Sequence, residues 1–167
     1  LMKFYKERIS KIARGSQYDI YGFVRQKDGD LCIVKVPRDG NIGQLKKKVD
    51  MLHIINGIAG IPIFFGIASV IIDGEKKLGG IFQKIEGESL DKALKDHWPK
   101  KRPSWREGKR FLNQLLRILK QVHEKNLVHG DIKFSNIIID SDEKLTILDW
   151  DNTQRIGNHD KQLPGTL

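Results

Sequence analysis

His129-Gly130-Asp131-Ile132-Lys133-Phe134-Ser135-Asn136 is a polar loop set between apolar segments, and the fold class turns on it. The run Ile137-Ile138-Ile139 follows it, and Leu145-Thr146-Ile147-Leu148 then leads into Asp149-Trp150-Asp151. Short apolar runs bounded by polar turns read as strands. Two strands therefore flank a polar loop and set acidic groups beside it. Phosphoryl transfer asks for such a cluster: a carboxylate near the attacking hydroxyl, a cation for the moving group, and oxygen ligands for magnesium. The alternative is two solvated turns that carry carboxylates by coincidence. Several residue types at fixed offsets argue against it.

The stretch resembles the catalytic loop of eukaryotic-type protein kinases, H-x-D-x-K-x-x-N followed by a second aspartate. The resemblance implies that Asp131 is the catalytic base and that Lys133 contacts the transferred phosphate. It makes Asn136 and Asp149 the metal ligands, with ATP and Mg2+ as cofactors. His129 would hold the loop by hydrogen bonds. Two departures bear on mechanism: Gly130 stands where an arginine often precedes the aspartate, and Asp149-Trp150-Asp151 replaces D-F-G. A similar H-G-D and D-W-D style occurs in small-molecule kinases that resemble aminoglycoside phosphotransferases. Asp151 is either a second carboxylate near the metal or the cap of a turn.

The chain has 167 residues, with 39% hydrophobic and 31% charged, the balance of a globular protein of one domain or two small lobes. No apolar run reaches the roughly 18–20 residues that span a bilayer, and the start shows no sustained apolar signal core. A cytoplasmic location is expected, the host's cytoplasm if this is a translocated effector or a viral protein. One cysteine, Cys32, excludes an internal disulfide framework, and its apolar strand suits a buried, inert thiol. The histidines show no zinc spacing. Thirty basic and 21 acidic side chains leave a net charge of +9, densest at Lys46-Lys47-Lys48 and Lys100-Lys101-Arg102. Trp98 and Trp105 flank the second cluster, but two rings are not a row of stacking platforms. A solvated basic face is expected, not a nucleic-acid site.

Three strands are expected over residues 9–36: 9–13, 19–27 turning at Asp28-Gly29-Asp30, and 31–36 ended by Pro37. Ile12 to Tyr21 lies over the family's glycine-rich loop. Only Gly15 is retained of three glycines; Ala13 and Tyr18 occupy the other two places. The resemblance puts Ile20 over the adenine and makes Lys35 the strand lysine that holds the α- and β-phosphates. A lysine in a buried strand is costly unless an anion meets it. Asn41 and Gln44 form a capping-box-like start for a helix over 42–55. The family's glutamate that pairs with the strand lysine falls on Lys48, a like charge. Either Asp50 substitutes, or the helix is shifted, or the nucleotide and Asp149 hold Lys35.

Two strands are expected over 60–72, broken at Pro62, and another over 78–85. The last resembles the hinge whose backbone bonds adenine, with Gln83 and Ile85 in it. Phe82 falls where the back of the nucleotide pocket is limited, or is simply core. Ser89 should cap a short helix to about His97. Pro99 to Pro103 reads as an exposed basic loop. Ser104 and Glu107 form a capping box for a long helix, with Phe111, Leu115, Ile118, Leu119 and Val122 as its buried stripe.

The expected fold is α+β and two-lobed: an antiparallel-sheet lobe over residues 1–85 that binds ATP, and a minimal or truncated helical lobe over 86–167. Its face below the catalytic loop is expected to be covered by a partner, by a second copy, or by residues of a longer chain. The leading function is a serine/threonine-protein kinase acting on a protein substrate. The alternatives are a small-molecule kinase and, given Lys48 and the depleted glycine loop, a pseudokinase scaffold.

Overall fold

The computed structural model describes residues 10–15, 17–24, 31–96 and 103–157. The chain forms two compact units, Leu1–Asp50 with Pro62–Lys84, and Met51–Ile61 with Ile85–Leu167.

The first unit is built on a five-stranded antiparallel sheet. Its strands are β1 (Ser10–Arg14), β2 (Tyr18–Val24), β3 (Leu31–Pro37), β4 (Phe64–Ile72) and β5 (Glu75–Gln83), in the order β1-β2-β3-β5-β4. Side chains alternate between the two faces of a strand. One face therefore collects Tyr21, Phe23, Cys32, Val34, Val36, Val70, Ile72 and Ile81 into an apolar core, with Cys32 fully buried as its strand suggested. The opposite face carries Tyr18, Ile20, Lys35, Gly80 and Phe82, as the register of Ile20 on Lys35 and of Lys35 on Gly80 requires. A slip of one residue would exchange the two sets, so core burial enforces this register.

Residues 60–72 do not form the two strands expected. Gly57 and Gly60 take positive φ (85° and 91°), and turn bonds run from Ile58 N to Ile55 O and from Ile61 N to Ile58 O. The Gly60 carbonyl accepts from Ile147 N at 2.8 Å, so this backbone is already committed. Only Phe64–Ile72 is left to pair as a strand. Helix α1 (Gly43–Ile55) arises where expected, but its start is not the expected box. The Asn41 Oδ1 accepts from Gly43 N, two residues on, at 2.8 Å. The turn expected at residues 28–30, the basic loop at 99–102 and the end of the chain lie outside the described residues.

The second unit contains α2 (Leu90–Asp96) and α3 (Trp105–His123) with five short strands: β6 (Glu88–Ser89), β7 (Leu127–Val128), β8 (Ile137–Ile139), β9 (Leu145–Ile147) and β10 (Gln154–Arg155). The α3 capping box forms in full: Glu107 N donates to Ser104 Oγ, and Ser104 N donates to Glu107 Oε2. Ile118 and Val122 are buried; Phe111, Leu115 and Leu119 are half-buried. Gln114 ties the helix to the β8–β9 hairpin. Its Nε2 donates to Glu143 O, and its Oε1 accepts from Leu145 N at 3.0 Å. Among the described residues, no helix is long and apolar enough to cross a membrane.

Candidate functional site

Two small strand pairs position the stretch from His129 to Thr153. In one, β7 and β10 pair Val128 with Gln154; in the other, β8 and β9 pair Ile137 with Ile147. The loop over 129–136 runs from the first pair to the second, and the loop over 148–153 runs back. The two are thus held side by side. Leu148 N donates to Asn136 O at 2.7 Å across them.

Asp131 is the centre of a polar network. Lys133 Nζ lies 2.6 Å from its Oδ2. Asn136 Nδ2 donates to Asp131 O at 3.0 Å and to Oδ2 at 3.2 Å. The Asp131 amide donates to His129 Nδ1 at 3.1 Å. A single 3-10 turn, Phe134–Asn136, swings Asn136 back onto Asp131 and buries it. With its nitrogen engaged by Asp131, Asn136 keeps Oδ1 as the atom for a ligand, the oxygen a hard cation takes. Asp131 and Lys133 stay partly open to solvent.

His129 is only 2% exposed, and its Nε2 lies 2.8 Å from Leu148 O. Because Nδ1 accepts from Asp131 N–H, Nε2 carries the proton and donates to Leu148. The ring meets Trp150 edge-on at 4.4 Å between centroids. Burial holds the imidazole pKa below its ordinary value; the Leu148 bond and the nearby Asp149 and Asp131 charges oppose this only in part. His129 therefore acts as a neutral strut between the two loops. Asp149 takes a left-handed backbone (φ 63°, ψ 56°), a conformation aspartate tolerates better than most residues and one that collects at functional sites. Trp150 Nε1 donates to Ile147 O, and Thr153 Oγ1 donates to Trp150 O at 2.6 Å. These bonds hold the turn that follows Asp149.

Gly130 has φ +81°, and a Cβ there would stand 2.6 Å from the carbonyl oxygen of Asn152. No side chain fits. The arginine expected by resemblance is excluded by the close approach of the two loops themselves.

In the first unit, Lys35 is half-buried on β3 directly opposite Ile20. Its Nζ lies 5.3 Å from the Phe82 ring centroid and 5.9 Å from that of Tyr18. Gly15 N donates to Tyr18 O at 2.8 Å, which closes the turn between β1 and β2. Ala13 pairs with Ile20 and is exposed. Phe82 is 7% exposed and packs on Phe64 with centroids 5.0 Å apart, so it is core as well as neighbour to Lys35. Gln83 N donates to Ile63 O at 2.8 Å and Lys84 N to Leu31 O at 2.9 Å. Both amides are taken up by neighbouring backbone carbonyls. Ile85 is half-buried in the second unit. Lys48 is half-buried on α1 and Asp50 is exposed.

Sequence reasoning passed over Trp150 and Thr153 as supports of the Asp149 turn, and Tyr18 as a neighbour of Lys35. The tryptophan was visible in Asp149-Trp150-Asp151, but its partners are set by the strand pairing. Among the described residues, no group of three or more His, Cys, Asp or Glu side chains is placed to hold a metal. A cation held by Asn136 and Asp149 would complete its oxygen shell from phosphate and water, the usual habit of Mg2+.

A family model of the protein kinase domain matches residues 6–166. Casein kinase II subunit alpha' of Saccharomyces cerevisiae is 27% identical over 148 residues, which are 86% of this chain and 40% of that protein. A probable serine/threonine-protein kinase of Dictyostelium discoideum is 26% identical over 148 residues, 86% of this chain and 23% of that protein. The chain thus spans less than half the length of these relatives. The family match runs over both compact units and nearly the whole sequence, and the chain belongs to the protein kinase domain family.

Proposed function

We propose that the protein transfers the γ-phosphoryl group of ATP to a serine or threonine hydroxyl of a protein substrate. The observation that carries this is the Asp131 network. An aspartate is braced by Lys133, Asn136 and His129 and still reaches solvent. Asp131 would accept the hydroxyl proton and orient the attacking oxygen. Lys133, now 2.6 Å from Asp131, would offset charge on the moving group. Asn136 and Asp149 would hold Mg2+, which screens the phosphate charges when bound. Lys35 would hold the α- and β-phosphates. Since the Gln83 and Lys84 amides already donate to the Ile63 and Leu31 carbonyls, backbone recognition of adenine would fall to Ile85 and beyond.

Phosphoryl transfer is tested with labelled ATP, Mg2+ and a generic protein substrate. Label should appear on the substrate or on the protein itself, and Asp131→Asn should reduce the rate about 10²–10⁴-fold. Undiminished transfer by that variant would remove Asp131 from the mechanism. A second reading, nucleotide binding without catalysis, draws on Lys48 at the position where the family carries a glutamate. It predicts Mg-ATP binding with no label transferred.

A further inference from the structure

We propose that Tyr18 and Phe82 are positioning residues for Lys35: their two rings hold its ammonium group in place for the nucleotide phosphates. This rests on the reading of Lys35 as the phosphate-binding lysine and goes beyond it. It assigns a role to Tyr18, which otherwise stands only as the loss of a glycine.

The arrangement follows from the register of three neighbouring strands. Lys35 lies opposite Ile20 on β2 and opposite Gly80 on β5. Tyr18 is two residues from Ile20 and Phe82 is two residues from Gly80, so both are diagonal neighbours of Lys35 on one face of the sheet. Diagonal neighbours lie about 7–8 Å apart at the backbone, within reach of aromatic and long side chains. The Lys35 Nζ accordingly stands 5.9 Å and 5.3 Å from the two centroids. Both lie within the roughly 6 Å at which a ring attracts a cation.

Gly80 makes room for the arrangement. A Cβ there would stand 2.4 Å from Leu45 Cδ2 of α1 and 3.0 Å from Phe82 Cε2. Without a side chain opposite Lys35, the Phe82 ring and Leu45 close in from that side. Tyr18 is fixed from the other side. Its carbonyl accepts from Gly15 N, and it pairs with Pro37.

A lysine side chain gives up considerable rotamer freedom when it is held in one geometry. Two rings that restrict it before the nucleotide arrives lower that cost at binding. Tyr18 replaces the flexibility of a glycine-rich turn with a fixed contact to the lysine beneath it.

The test uses the whole chain and two independent readouts. The first is the carbon–proton NMR signal of the Lys35 ε-methylene without nucleotide, assigned by its loss in Lys35→Arg. Ring currents should move it upfield of the other lysines. Tyr18→Phe should keep that shift, and Tyr18→Leu should return it toward the common lysine position. The second is Mg-ATP affinity by calorimetry. Tyr18→Leu should weaken binding about 2- to 5-fold, and Tyr18→Phe should restore it.

A wild-type Lys35 signal among the ordinary lysines would overturn the proposal. So would a Tyr18→Leu variant that shifts the signal and leaves affinity unchanged, because the rings would then touch Lys35 without serving the nucleotide. If wild-type protein shows the upfield signal and binds no Mg-ATP, the nucleotide reading itself has failed. The NMR signal separates that outcome from failure of the ring contact.

Discussion

Gly130→Ala is the sharpest single perturbation of this site. The residue has φ +81°, and its new Cβ would stand 2.6 Å from Asn152 O, with the Asn152 carbonyl carbon and Cβ each at 3.4 Å. A left-handed backbone costs a residue with a Cβ about 1–2 kcal/mol. The clash is with a main-chain carbonyl, which no rotamer change can relieve. Forcing extra volume into a packed site typically costs about 1–3 kcal/mol. Stiffening the unfolded chain returns about 0.4–1 kcal/mol. The net loss is about 2–4 kcal/mol, or about 4–16 °C in melting temperature for a chain of this size. Gly74→Ala is the matched control. It has φ +80° with nothing within 4 Å of the added Cβ, so it carries the backbone cost without the collision. Thermal unfolding of both variants, followed by circular dichroism, isolates the packing part. Gly130→Ala should melt several degrees below Gly74→Ala and lose phosphoryl transfer as Asp131 is displaced. If the two melt together, the close approach of the Gly130 and Asn152 segments does not hold the site.

Asp149→Ala should weaken ATP binding in the presence of Mg2+ and change it little in the presence of EDTA; equal Mg-ATP affinity would remove Asp149 as a metal ligand. His129 is held below its ordinary pKa of 6.5, so below about pH 6.5 the unfolded chain takes up a proton first. The stability this residue contributes is complete above pH 6.5 and falls as pH drops toward the lowered folded value. Urea titrations should show that slope in wild-type protein and a flatter one in His129→Gln. A slope identical in both would place the titration elsewhere. Thr153 is fully buried with its hydroxyl donated to Trp150 O, and Gly130 has no side chain to hold a phosphate. Phosphatase treatment should therefore leave activity intact, and an enzyme switched off by it would contradict this.

Much of the architecture is legible in short stretches of sequence, because the forces that set it act between near neighbours. Ser104 and Glu107 begin α3 through bonds within one turn. The spacing of Ile118 and Val122 makes its buried stripe. Alternation along Leu31–Pro37 places Cys32, Val34 and Val36 in the core and Lys35 on the opposite face. The offsets from His129 to Asn136 carry the Asp131 network, since a loop of eight residues closes its own hydrogen bonds. Other features depend on segments far apart in the chain. Residues 60–72 read as two strands broken at Pro62, yet Gly60 gives its carbonyl to Ile147, and no local pattern signals that bond. Gly130 reads as a missing arginine until Asn152 is seen against it. Tyr18 reads as a missing glycine until strand register sets it beside Lys35 with Phe82 on the other side. Helix caps and strand alternation are decided within a few residues, whereas register and close backbone approach are decided by which distant segments pack together.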